Sequence, residues 1–262
     1  MSQNLHWIKG FWLNDMKNGL GTLYSPEGNI EAEGKWQNDR LSGLALRYYN
    51  TTFHYRGAFQ QSLRHGHGLE YINDNLIYEG QFVNDYREGY GTAFSKATED
   101  GQKPRVTYAG QWAHGLRQGN GTAYKVDGGY YKGQWKADLK HGLGRDVMEN
   151  EANYYQGHFF NGKRQGHGKL VYLDQIYEGD WNNDKMDGQG ILKNETSGVY
   201  YEGGFRENRF HGKVSRPPVF ALANKKVWMI TSLSASALPA KIVIALGVAK
   251  LIFQKVISRS EL

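Results

Sequence analysis

The chain of 262 residues carries 34 glycines and 18 tyrosines but no cysteine, which excludes disulfides, thiolate catalysis and cysteine-bound metal. Its formal charge of +6 comes from one end, because residues 216–262 hold seven Lys or Arg against one Glu and leave 25 basic and 25 acidic residues before them. A balanced body gives no basic footprint for nucleic acid, and so many glycines with so few aliphatic runs are unlike a layered globular core.

The chain opens on Met1-Ser2-Gln3-Asn4-Leu5-His6 with no apolar signal region, so a cytoplasmic protein is expected. From Trp7 one pattern recurs. A glycine falls at Gly10, Gly34, Gly57, Gly80, Gly110, Gly133, Gly157, Gly179 and Gly203, each followed two residues later by Trp or Phe. Seven residues beyond each of those aromatics stands another glycine, from Gly19 to Gly212. In Tyr78-Glu79-Gly80-Gln81-Phe82 the alternate residues share one face of a strand, and Gly89 and Gly91 share a face on the return, so each unit reads as one β-hairpin. Asn-Asp or Asn-Gly falls midway, where a tight turn needs residues that tolerate positive φ.

The pattern Tyr-x-Gly-x-Trp-(six)-Gly-x-Gly resembles the MORN repeat, over about residues 7–214. The resemblance implies an all-β repeat fold, an elongated single-layer antiparallel meander of about nine hairpins, used as a scaffold or membrane-proximal module. Eighteen strands at about 4.8 Å would extend roughly 85 Å. The array occupies residues 1–215. Ile8 and Ala32 stand where the leading tyrosine belongs, and Ala45 and Val214 where the last glycine belongs, marking irregular or capping copies.

In the third and fourth copies the paired glycines, such as Gly66 and Gly68, need a reason, since glycine weakens a strand. The expectation is that their bare face receives the rings of adjacent strands. A polar insertion at about 95–107 then breaks the rhythm and reads as a solvated loop, with a partner contact as the alternative. Tyr90, Tyr130, Tyr154, Phe160 and Tyr200 fall opposite the glycine face and are the candidate partner-binding residues.

Arg216-Pro217-Pro218 is expected to end the sheet ladder. Residues 216–262 form a basic, apolar tail, with a helix expected from near Pro239. Three readings compete for it. A membrane span needs about twenty apolar residues, whereas the longest charge-free run, Val227–Ala240, has fourteen. A lipid-contacting segment would use Lys225, Lys226, Trp228, Lys241, Lys250 and Lys255 against anionic phospholipid, although the last three lysines share no single helical face. A helical cap over the last strand ranks first. The abrupt change of composition also fits an alternative ending.

No catalytic, cofactor or metal residues emerge. The Gly-x-Gly pairs never complete a phosphate-loop motif, and the position of His65, His141 and His211 is held elsewhere by Asn, Ser, Glu, Gln or Asp, as at a solvated turn. The 47 residues after the array are too few for the lipid-kinase or methyltransferase domains that related families append. The resemblance therefore implies a non-catalytic scaffold for a protein partner in a ciliary or flagellar axoneme or another cytoskeletal assembly. A peripheral membrane tether is the alternative.

Overall fold

The computed structural model describes residues 6–96, 104–222 and 225–228, and all the regular secondary structure among them is β-strand. The chain divides into two compact units. The first, residues 1–126 with 132–139, holds β1 (Trp7–Leu13), β2 (Met16–Tyr24), β3 (Ile30–Gln37), β4 (Arg40–Tyr48), β5 (Phe53–Gln60), β6 (Leu63–Ile72), β7 (Asn75–Val83), β8 (Tyr86–Phe94), β9 (Val106–Ala113) and β10 (Leu116–Tyr124). β11 (Tyr130–Lys136) is divided between the units. The second, residues 127–131 with 140–262, holds β12 (Leu139–Val147) apart from its first residue, β13 (Tyr154–Phe160), β14 (Lys163–Tyr172), β15 (Gln175–Asn182), β16 (Lys185–Asn194), β17 (Tyr200–Arg206), β18 (Arg209–Leu222) and β19 (Lys225–Trp228). From β1 to β10, and again from β12 to β19, each strand pairs antiparallel with the next in sequence.

Each hairpin closes on two residues at positive φ, as at Asn84 (49°) and Asp85 (70°), the geometry that matches the twist of the flanking strands. Gln61-Ser62, Ala137-Asp138 and Glu207-Asn208 adopt the same geometry without the usual pair of turn residues. Beyond the turn the two strands are unequal. In β7 and β8, Phe82 pairs with Arg87 and Gly80 with Gly91, so Gln81 alone faces Glu88, Gly89 and Tyr90. This bulge recurs in every hairpin of β1 to β10 and in those of β13 to β16.

The bulge corrects the reading of the paired glycines. Gly66 has φ 71°, and a Cβ there would meet only Ala58 Cβ at 3.3 Å, so the backbone and not a ring demands glycine. Gly68 fits the expectation, because a Cβ would lie 2.1 Å from Tyr55 Oη. Where the ring is missing the rule relaxes. Ala32 stands in place of tyrosine in the second hairpin, and there Ala45 replaces the second glycine and is buried.

In each unit the core is a row of rings on one face. Tyr55, Phe59, Tyr78, Phe82, Tyr108, Trp112 and Trp135 in the first unit are buried, as are Tyr131, Tyr155, Phe159, Tyr177, Trp181, Tyr201 and Phe205 in the second. Tyr78 meets Phe82 edge-on at 5.3 Å within its hairpin and Trp112 edge-on at 5.3 Å in the next. The hydroxyls of Tyr55, Tyr78, Tyr108, Tyr155, Tyr177 and Tyr201 each donate to a carbonyl three residues on, as Tyr108 Oη to Gln111 O at 2.9 Å. Each buried indole N–H reaches back to the preceding hairpin, as Trp112 Nε1 to Gly91 O at 3.1 Å. The rings therefore supply apolar area and satisfy their own polar atoms.

Two expectations at the margins change. Val106 and Thr107 belong to β9, and Ser95 N donates to Arg105 O at 2.8 Å, so the insertion is pinned at its base; residues 97–103 lie outside the described residues. Pro217 and Pro218 do not end the ladder, since β18 continues to Leu222 and pairs with β19. The register of β17 against β18 shifts on either side of Glu202, an irregular stretch in which residues without an N–H can be carried. The apolar stretches around Val219 and Val227 are thus strands and not part of a helical cap. The helix expected from Pro239 lies outside the described residues, and among those residues no helix is long and apolar enough to cross a membrane.

Candidate interaction surface

The face that carries the rings is closed by cations. Five residues after the hairpin aromatic stands Lys17, Arg64, Arg87, Arg117, Lys140 or Arg164, and each lies over a ring: Arg117 is 4.2 Å from the Trp135 centroid and Arg164 is 4.3 Å from that of Trp181. The aspartate in the turn of the next hairpin then holds the cation's own strand. Asp138 Oδ1 accepts from Arg117 N and Nε, both at 2.9 Å, while Asp138 N donates to Arg117 O at 3.1 Å. Asp85 and Asp184 repeat this with Arg64 and Arg164, and Asp39 accepts from Lys17 N at 2.9 Å.

The turn aspartates are thus latches between hairpins as well as turn formers, a role the sequence analysis missed. Its signal was a recurring separation of 20 to 22 residues between cation and aspartate. Where the next turn is His114-Gly115 or Asn161-Gly162 the carboxylate is missing, and another supplies it: Arg87 pairs with Glu70, and Lys140 with Asp146. Glu70 is buried between Arg64 and Arg87. The buried tyrosines have pKa values raised by loss of solvent, Tyr108 up to about 12, with Arg117 opposing the rise. They are packing groups held neutral.

The opposite face is open. On the first unit a groove of about 870 Å³ runs between His67, Gln81, Tyr90 and Asn120 on one side and Glu79, Thr92, Thr122 and Lys132 on the other, with Gly80, Gly91, Gly110 and Gly121 along its floor. The bulge shapes its rim, because Gln81 Oε1 accepts from Tyr90 N at 3.3 Å and Gln111 Oε1 from Asn120 N at 2.7 Å. Groups that the bulge withdraws from the ladder are in this way satisfied by a side chain.

Of the five candidate partner-binding residues, Tyr90 is 64% exposed and lines this groove. The other four lie in the second unit and form no single row with one another. Tyr130, Tyr154 and Tyr200 are half-buried at the strand ends away from the tight turns: Tyr130 Oη bonds Glu151 Oε1 at 2.8 Å, Arg145 covers Tyr154 at 3.9 Å, and Tyr200 Oη bonds Glu202 Oε2 at 2.8 Å. Phe160 lies at a turn, 57% exposed, with His141 beside it. Strand alternation placed all five on the correct side, but the level along the strand separates them. His65 and His141 are half-buried, with Nδ1 of each enclosed, and so are less solvated than the turn reading expects.

Of the tail candidates, Lys225, Lys226 and Trp228 fall on β19, and Lys241, Lys250 and Lys255 lie outside the described residues.

Compared with known families, the chain matches the MORN repeat over residues 9–30, 55–76, 78–94, 108–130, 131–145, 155–175, 177–196 and 201–213. No curated protein matches the chain. The hairpin of β3 and β4, in which Ala32 and Ala45 replace the tyrosine and the glycine, is the copy the family pattern passes over. With the recurring ring, glycine and turn geometry matched across most of the described strands, the chain belongs to the MORN-repeat family.

Proposed function

We propose that the chain is a non-catalytic scaffold that holds a protein partner in the groove over Tyr90. MORN repeats are known in scaffolds that bind protein or membrane. The observation that carries the reading is the contrast between the faces: one is sealed by rings and cations, whereas the other presents a wide, open groove edged by one exposed ring and amide, hydroxyl and charged groups. Small molecules favour enclosed sites that bury most of their surface, while an open groove on rigid strands, with a bare glycine floor and polar groups at its edges, suits a segment of polypeptide. On this reading the partner belongs to a ciliary or flagellar axoneme or another cytoskeletal assembly of the cytoplasm. Native capture with the full-length chain, beside Tyr90→Ala, tests this. Recovery of a cytoskeletal or axonemal protein by the first and its loss with the second is expected; equal recovery by both would remove the groove from the account.

A second reading rests on the seven cationic residues among the last 47, against one acidic residue. There the chain is a peripheral tether to anionic phospholipid, each basic residue near the surface adding about 1 kcal/mol. In sedimentation with phosphatidylserine vesicles the full-length chain should pellet, and a chain with Lys241, Lys250 and Lys255 changed to Ser should stay in solution. Equal behaviour of the two defeats the reading.

A further inference from the structure

The open face of the first unit changes character along the chain. Around the groove its central positions are His67, Gln81, Tyr90 and Asn120, whereas in the first two hairpins they are Phe11, Leu20 and Leu44, exposed by 71%, 67% and 78%. Phe11 and Leu20 are neighbours across β1 and β2, and Lys35 of β3 stands between Leu20 and Leu44. Phe11 lies against the bulge at Gly19, Leu20 pairs with Lys35 on β3, and Leu44 pairs with Ala58 on β5. A strand face that met only water would not carry three such side chains together.

The charges inside this patch are arranged in a particular way. Glu33 and Lys35 are two residues apart on β3, so both point to the open face, and both are exposed. Neither enters an ion pair among the described residues. One row along, β1 places Lys9 two residues from Phe11, and β4 places Leu46 two residues from Leu44.

We propose that this patch binds the same patch of a second copy of the chain, about a two-fold axis that crosses β3 at right angles and reverses the strand direction. Under that operation Glu33 meets the partner's Lys35, and the reverse, so the two unpaired charges are satisfied twice by one symmetry. Leu44 then lies on the partner's Leu46, and Phe11 under the partner's Lys9. Turning the copies the other way would set Lys35 against itself. The size of the patch sets the strength. Five strands at about 4.8 Å, each offering about seven residues at about 3.4 Å, give roughly 570 Å² a side, below the standard interface. The association is therefore weak and concentration-dependent, in the micromolar range.

Sedimentation velocity of the full-length chain from about 1 to 100 μM tests the proposal. A monomer and dimer in exchange is expected, with Leu44→Asp raising the dissociation constant at least tenfold. Lys35→Glu alone should weaken the dimer, since it sets two like-charge contacts, and the double exchange Glu33→Lys with Lys35→Glu should restore it. Tyr90→Ala should leave it unchanged, which separates this interface from the groove and its partner. All four variants change exposed positions, so circular dichroism should match the parent. A monomer at every concentration, a dimer indifferent to Leu44→Asp, or a double exchange that fails to rescue would each overturn it.

Discussion

Tyr90 and Gly91 are neighbours on β8 and belong to opposite faces of the sheet. At Gly91 the space is taken: a Cβ would lie 2.2 Å from Tyr78 Oη, and Trp112 Nε1 bonds the Gly91 carbonyl from the next hairpin. Tyr90 is 64% exposed and its ring edges a groove. One face is filled by interlocked rings, glycines and cations, and a change at one position there is matched at another, as Ala45 matches Ala32. The other is supported by the first and can carry whatever a partner requires.

The sharpest way to break this comparison is to exchange the demands on the two neighbours. Gly91→Val should drive the Tyr78 ring out of its slot and cost about 3 kcal/mol by overpacking, whereas Tyr90→Ala should move stability by less than about 0.5 kcal/mol. Urea unfolding midpoints of the two variants, followed by tryptophan fluorescence, check this; similar losses would erase the distinction between faces.

Alkali tests the closed face through its tyrosines. Burial holds the Tyr108 pKa above its ordinary value of 10.0, at about 12, and raises those of Tyr55, Tyr78, Tyr131, Tyr155 and Tyr177 as well. A folded value above the unfolded one means that the contribution of the neutral ring is complete below pH 10 and is lost as pH rises toward about 12. Tyrosinate absorbance of the buried class should therefore rise together with loss of β-sheet circular dichroism above pH 10, with no change traceable to these groups at neutral pH.

Smaller effects sharpen the picture between hairpins. Asp85→Ala removes the acceptor of Arg64 N and Nε and should cost about 1–2 kcal/mol, the half-exposed carboxylate tempering the loss. Asp85→Asn keeps an acceptor and should recover part of it, as thermal unfolding would show. Gly66→Ala should cost about 1 kcal/mol through its positive φ, although a Cβ there meets no ring. If Gly66→Ala proved as harmful as Gly68→Ala, the bulge would not be the reason for the first glycine of each pair.

What could be read in the sequence was whatever is periodic and bulky. Tyr78, Gly80 and Phe82 alternate, and strand geometry alone then sets them on one face, so the hairpins, their order and the ring row follow from spacing. The Gly66 and Gly68 pair misled because two glycines at alternate positions look the same whether they clear space for a ring or bend the backbone, and only the register of β6 against β5 separates the two. The prolines at 217 and 218 misled because a missing N–H ends a strand only where the ladder needs that donor, and the register there is already irregular.

By itself, then, the sequence determined the meander and the face that closes, because side-chain alternation and ring volume are local properties of each strand. Tertiary structure decided which cation meets which aspartate, and that Tyr90 edges a groove whereas Phe160 stands at a turn and Tyr130, Tyr154 and Tyr200 at strand ends. It also decided where the open face turns from groove to apolar patch. These depend on residues some twenty positions apart being brought together by pairing, twist and bulge, and no spacing within one repeat contains them.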